Sequence, residues 1–127
     1  MTELVADQLV KLSDVYNGRV DKRELGNGTV LVTLKDVRLP VGWNKERTSV
    51  RYVIPVGYPF AAPDCFWADR DLSLANGVRP QATNVQVIPE ANEDGLWFSW
   101  HVQGWNPSHG SLVMYAKMIE RRLADGR

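Results

Sequence analysis

The stretch from Val53 to Trp67, V-I-P-V-G-Y-P-F-A-A-P-D-C-F-W, limits what this chain can fold into more than any other. Pro55, Pro59 and Pro63 lie within nine residues. Each fixes φ and removes a backbone donor, so neither a helix nor a central strand can run through them. The apolar residues on either side read as two strands. Gly57 can take up turn conformations, and Tyr58 and Phe60 carry rings that can pin the bend to a core. A rigid bend between two strands sets the register of the sheet they share.

Working outward from the bend, residues 3–15 are expected to form an amphipathic helix, with Leu4, Val5, Leu9 and Leu12 near helical spacing and Thr2 as N-cap. Asn17-Gly18 ends it. Residues 19–25 read as a strand, turned by Gly26-Asn27-Gly28 into the β-branched run Thr29–Leu34. Pro40 and Gly42 break the chain before a loop carrying Trp43 and Asn44. Thr48–Pro55 and Asp64–Ala68 are the strands flanking the bend. Four strands joined by short connections imply an antiparallel meander. Leu72, Leu74 and Ala75 suggest a turn of helix. Residues 76–94 read as a long extended loop, with a short buried strand expected over Leu96–His101. Residues 108–124 give the clearest helix, capped by Ser108, with Leu112, Tyr115, Ala116, Ile119 and Leu123 on one stripe. Strands flanked by helices make an α+β fold, read here as one domain over residues 1–127.

Composition narrows the function. The 15 basic and 15 acidic residues cancel and are interspersed, so no footprint for nucleic acid or an anionic membrane is visible. Met1-Thr2-Glu3-Leu4 does not resemble a leader, and no apolar run is long enough to span a bilayer, so the cytoplasm is the expected location. The single cysteine, Cys65, excludes an internal disulfide and a multi-cysteine zinc site. Four of the five tryptophans, Trp67, Trp97, Trp100 and Trp105, lie in the second half.

Two local motifs in this order of elements carry a family resemblance. Tyr58-Pro59-Phe60-x-x-Pro63 between strands three and four is similar to the Y-P-x-x-P-P bend of the ubiquitin-conjugating enzyme (UBC) superfamily. Trp105-Asn106-Pro107 before the last helix is similar to that superfamily's W-x-P. Gly57-Tyr58-Pro59…Pro63-Asp64-x-Phe66-Trp67 and Trp97-x-Ser99-x-His101 further resemble a bacterial branch associated with ubiquitin-like proteins, adenylating activating enzymes and JAB-type isopeptidases. The resemblance implies a UBC-like fold and a role in modifier conjugation. It also marks a departure. The family's catalytic cysteine lies eight residues before the tryptophan of W-x-P, and here that position is Trp97. The H-P-N motif, whose asparagine stabilises the oxyanion, is missing; Asn92 in Asn92-Glu93-Asp94-Gly95 is the candidate substitute.

The remaining candidates follow from side-chain chemistry. Thioester transfer needs a reachable thiolate, an oxyanion donor and room for an amine. Cys65, beside Phe66 and Trp67, is expected instead to be a small buried core residue with little reactivity. His101 could act as general acid or base, with Ser99 on the same strand face by period two. It is also readable as a hydrogen-bonded histidine beneath the loop that orients Trp105. His109 is expected to face solvent. His101 and His109 could hold a metal only with Glu90, Glu93 or Asp94, a poor signature, so no metal and no cofactor are expected. Asp64 is expected to cap the turn or to be exposed, and Asp64, Asp69 and Asp71 do not match a calcium loop. Trp97, Trp100 and Trp105 are either core or interface anchors.

The expected function is a docking module that keeps the UBC fold without its thioester chemistry and binds a ubiquitin-like protein, its activating enzyme, or both. One alternative is an active conjugating enzyme carrying the modifier on Cys65, assisted by Asn92 or His101. A third reading is a hydrolase centred on Ser99 and His101.

Overall fold

The computed structural model describes all 127 residues. Its elements are α1 (Glu3–Val15), β1 (Val20–Glu24), β2 (Val30–Arg38), β3 (Arg47–Ile54), β4 (Phe66–Ala68), β5 (Thr83–Ile88), β6 (Glu93–Phe98) and α2 (Leu112–Ala124). The strands form one antiparallel sheet in the order β1-β2-β3-β4-β6-β5.

α1 starts where Thr2 Oγ1 accepts the Val5 amide at 3.2 Å. It stops at a Schellman cap: the Gly18 amide reaches Ser13 O and the Asn17 amide Asp14 O, with both residues at positive φ. Val5, Leu9 and Leu12 are buried, whereas Leu4, expected on the same stripe, is 42 % exposed. The β1–β2 hairpin matches its expected position to within a residue at its first strand, with Val20 opposite Leu34 and Glu24 opposite Val30.

In β2, Val30, Val32 and Leu34 join the main core, and Leu31 joins a smaller cluster on the other face of the sheet. A bulge between Leu34 and Val37, with Asp36 at φ 55°, inserts the extra residue that returns Val37 to the core side. In β3, Val50, Tyr52 and Ile54 continue the core face. Phe66 and Ala68 of β4 and Leu96 and Phe98 of β6 complete it, Phe66 stacking on Phe98 at 4.5 Å. Residues of both helices contribute to the same cluster, and the Tyr52 and Tyr115 rings meet edge-on at 5.0 Å.

Three expectations are corrected. The meander is the first part of a six-stranded sheet, because residues 76–94, expected as loop, contain β5 and the start of β6. β5 is an edge strand with Asn84, Gln86 and Val87 exposed, so little apolar alternation betrays it. The turn between β5 and β6 places Glu90 and Asn92 at positive φ without a glycine at either position. Gly95 lets β6 close on β4, since a Cβ there would lie 2.7 Å from Ala68 O. The expected turn of helix at Leu72–Ala75 is instead a bridge pairing Leu74 with Trp43. Finally, α2 is capped by Ser111, whose Oγ accepts the Met114 amide at 3.0 Å, and not by Ser108. The Ser108 amide is taken by Asn106 Oδ1, and the His109 and Gly110 amides by Asn106 O, in a turn that precedes the helix.

Candidate functional site

The bend delivers two residues, Asp64 and Cys65, to the start of β4. Cys65 has φ 62°, a left-handed conformation uncommon for a residue with a side chain. Its backbone is tied on both sides. The Cys65 amide donates to Trp100 O at 2.9 Å, and the Tyr115 hydroxyl donates to Cys65 O at 2.7 Å. The residue is buried, as expected, at 6 % exposure. It is not, however, a strand residue facing the core: β4 begins at Phe66, and Cys65 belongs to neither apolar cluster.

The same geometry brings the segment after β6 against the end of the bend. His101 Nδ1 lies 2.6 Å from Asp64 Oδ1, with both side chains largely exposed. A ligating atom from each of Asp64, Cys65 and His101 lies within 4.8 Å of the other two. Asp64 therefore orients the imidazole, and the only thiol of the chain sits beside that pair. In the neutral ring, Nδ1–H donates to the carboxylate and Nε2 is left as the acceptor.

Electrostatics set the state of the thiol. Burial pushes the Cys65 thiol up from its ordinary value, and the neighbouring Asp64 carboxylate adds to the shift. Hydrogen bonds from the Trp100 backbone and the Trp97 side chain act the other way. The sulfur is thus a neutral thiol at neutral pH.

The other candidates are distributed as follows. Trp97 is half-buried, paired across the sheet with Trp67, and packed against the smaller cluster of Leu25, Leu31, Trp67, Ile88 and Ala91. Trp100 packs on the main core, its indole N–H buried without an acceptor. Trp105 lies against Tyr58 and donates from Nε1 to Pro59 O at 2.8 Å. Pro59 therefore orients Trp105, where His101 had been expected to do so. Tyr58 is fixed by its hydroxyl on Gln8, the Tyr58–Pro59 peptide is cis, Pro63 is buried and Pro107 half-buried. All three tryptophans are partly covered by the protein itself. Asn92 is exposed in the β5–β6 turn, separated from His101 by the whole of β6, and it is not brought to the thiol. Ser99 donates its amide to Ala82 O, and no Ser99–His101 hydrogen bond forms. His109 is exposed, as expected. Asp69 and Asp71 hold Lys45 at 3.0 and 2.7 Å and are structural.

A comparison with protein families gives one match. The model of prokaryotic E2 family E matches residues 11–126. The chain belongs to prokaryotic E2 family E. It is an E2-like protein of a conjugation pathway, a class that works in general with ubiquitin-like proteins or activating enzymes. No curated protein and no solved structure matches it. No helix of this E2 family member is long and apolar enough to cross a membrane.

The part of the candidate site that sequence reasoning missed is Asp64 as the partner of His101. The two residues are 37 positions apart, and no linear spacing joins them. The signal that could have found them is the pairing of Phe66 with Phe98 and Trp67 with Trp97. Extended past the start of β4, that register carries Asp64 and Cys65 to the segment containing Trp100 and His101.

Proposed function

We propose that this E2-like protein carries a ubiquitin-like modifier on Cys65, with His101 as the base and Asp64 orienting it, residues 1–127 acting as one UBC-like unit in the cytoplasm. The observation that carries this reading is the position of the thiol. Cys65 lies beside the His101–Asp64 pair, at the start of β4, the strand that pairs with the β6 strand carrying Trp97, the residue at the family's catalytic position.

The transfer is balanced as follows. His101 takes the proton of the Cys65 thiol as the sulfur attacks the carbonyl of a modifier held as a thioester on its activating enzyme. The bond to the activating enzyme's sulfur breaks, and that sulfur takes up a proton as it leaves. An amine then attacks the new thioester: the C–N bond forms, the bond from the carbonyl to Cys65 breaks, and the proton lost by the nitrogen ends on the released Cys65 sulfur. The left-handed backbone at Cys65, held by Trp100 and Tyr115, suits a residue whose orientation matters more than its local comfort. Asn92 has no part in this scheme.

A second reading, a docking module without thioester chemistry, is favoured by one observation: Cys65 is only 6 % exposed and its thiol is pushed up by burial. A charging reaction with activating enzyme, ubiquitin-like protein and ATP, run on a non-reducing gel, separates the two. The carrier reading expects a thiol-sensitive adduct that is lost in Cys65→Ser and forms about a hundredfold more slowly in His101→Ala. Binding without any adduct would leave the docking module. A thiol-resistant adduct lost in Ser99→Ala would replace both with hydroxyl chemistry.

A further inference from the structure

We propose that Asp64, Cys65 and His101 form a binding site for a zinc-class divalent cation, with one coordination position left open. This inference concerns the metal alone, with Cys65 as a free thiol, and does not rest on the proposed carrier chemistry.

The donor set selects the ion. One thiolate, one imidazole and one carboxylate suit zinc and its borderline-soft neighbours, whereas magnesium and calcium require oxygen ligands throughout. The geometry is close to what such an ion needs. With metal–sulfur bonds of about 2.3 Å and metal–nitrogen or metal–oxygen bonds of about 2.0 Å, tetrahedral ligands lie roughly 3.3–3.5 Å apart. The three ligating atoms already lie within 4.8 Å of one another. Asp64 and His101, now 2.6 Å apart, would separate by less than about 1 Å to admit the ion between them.

Position and charge agree with that donor set. Cys65 is the inner ligand, fixed through its backbone to Trp100 and Tyr115, while Asp64 and His101 are exposed and free to adjust. The site therefore opens to solvent on the side of its two exposed ligands, which leaves room for water in the fourth position. A thiolate and a carboxylate together offset the charge of a divalent cation. The fold brings the three ligands together from two segments that are far apart in sequence, so the site exists only in the folded chain. An ion bound there would occupy the thiol and the imidazole at once, and would exclude any chemistry that uses them.

Titration of the reduced protein with Co²⁺ tests the site directly. The expected result is saturation at one equivalent, with a sulfur-to-cobalt absorption band and visible bands of tetrahedral intensity. Cys65→Ser should abolish the sulfur band, and His101→Ala and Asp64→Asn should each weaken binding at least about tenfold. His109→Ala should leave affinity unchanged. In the unsubstituted protein, Zn²⁺ should displace the cobalt spectrum and shift the His101 ring signals in NMR, a readout that needs no variant to fold. Undiminished affinity in either His101→Ala or Asp64→Asn would overturn the three-ligand site, as would the absence of any sulfur-to-cobalt band in the folded, reduced chain.

Discussion

Gly110 shows how closely single residues are constrained around the site. A Cβ at Gly110 would lie 2.4 Å from the Trp105 ring, and that ring is already held between Tyr58 and Pro59 O. Because the neighbouring atoms belong to a rigid indole, the ring must move as a whole and the Trp105–Pro59 hydrogen bond must lengthen or break. Gly110→Ala is expected to cost about 1–3 kcal/mol, the usual penalty of overpacking. Gly26→Ala, at a turn where a Cβ meets nothing within 4 Å, should stay within about 0.5 kcal/mol. Urea unfolding followed by tryptophan fluorescence compares the two, and equal midpoints would mean that Trp105 is not wedged as described. The sequence made Trp105 and Pro107 visible as a motif. It offered no sign that Gly110 lies beneath the ring, because that contact depends on the Asn106 turn.

Among the elements, α2 shows where local signals are sufficient and where they compete. Its stripe of Leu112, Tyr115, Ala116, Ile119 and Leu123 was legible from spacing alone and is buried as expected. Its start was not, because Ser108 and Ser111 are both good caps and Pro107, standing just before the earlier one, does not forbid it. The Asn106 side chain decides the matter by taking the Ser108 amide, so that the chain turns before the helix begins. Ser111→Ala should therefore cost about 1 kcal/mol, and Ser108→Ala close to nothing. Thermal unfolding of the two variants measures this. A larger loss in Ser108→Ala would place the cap three residues earlier.

For the molecule as a whole, the tyrosines govern behaviour in alkali. Tyr16, Tyr52, Tyr58 and Tyr115 all pack into the main core. Burial raises each of them, and the Tyr58 hydroxyl, although its hydrogen bond with Gln8 acts the other way, is pushed up to about 12. In the unfolded chain these groups lose their protons near pH 10. Below that value both states hold the protons and the full stability is present. Above it the unfolded state alone releases them, so stability falls as pH rises from about 10 towards 12 and beyond, by about 1.4 kcal/mol per unit for each tyrosine that stays protonated. Circular dichroism should show cooperative unfolding in that range, coincident with tyrosinate absorbance. Tyrosinate appearing well before the fold is lost would show that these hydroxyls are not buried in the working structure.

The sequence by itself determined the features that depend on neighbours along the chain. These are α1 and its cap, the β1–β2 hairpin, the proline-locked bend, the apolar stripe of α2 and the two motifs that point to the E2 family. Each rests on backbone restriction or on a period of two or three to four residues, and those act over a few positions. Only the tertiary structure decided the rest. β5 is an exposed edge strand whose pairing with β6, and not its own composition, holds it in place. Asn92 was drawn to the site by motif analogy, and β6 carries it away. Asp64, Cys65 and His101 became one site because β4 pairs with β6 and a left-handed residue ends the ladder there, a juxtaposition fixed by strand register across 37 residues and invisible to any local pattern.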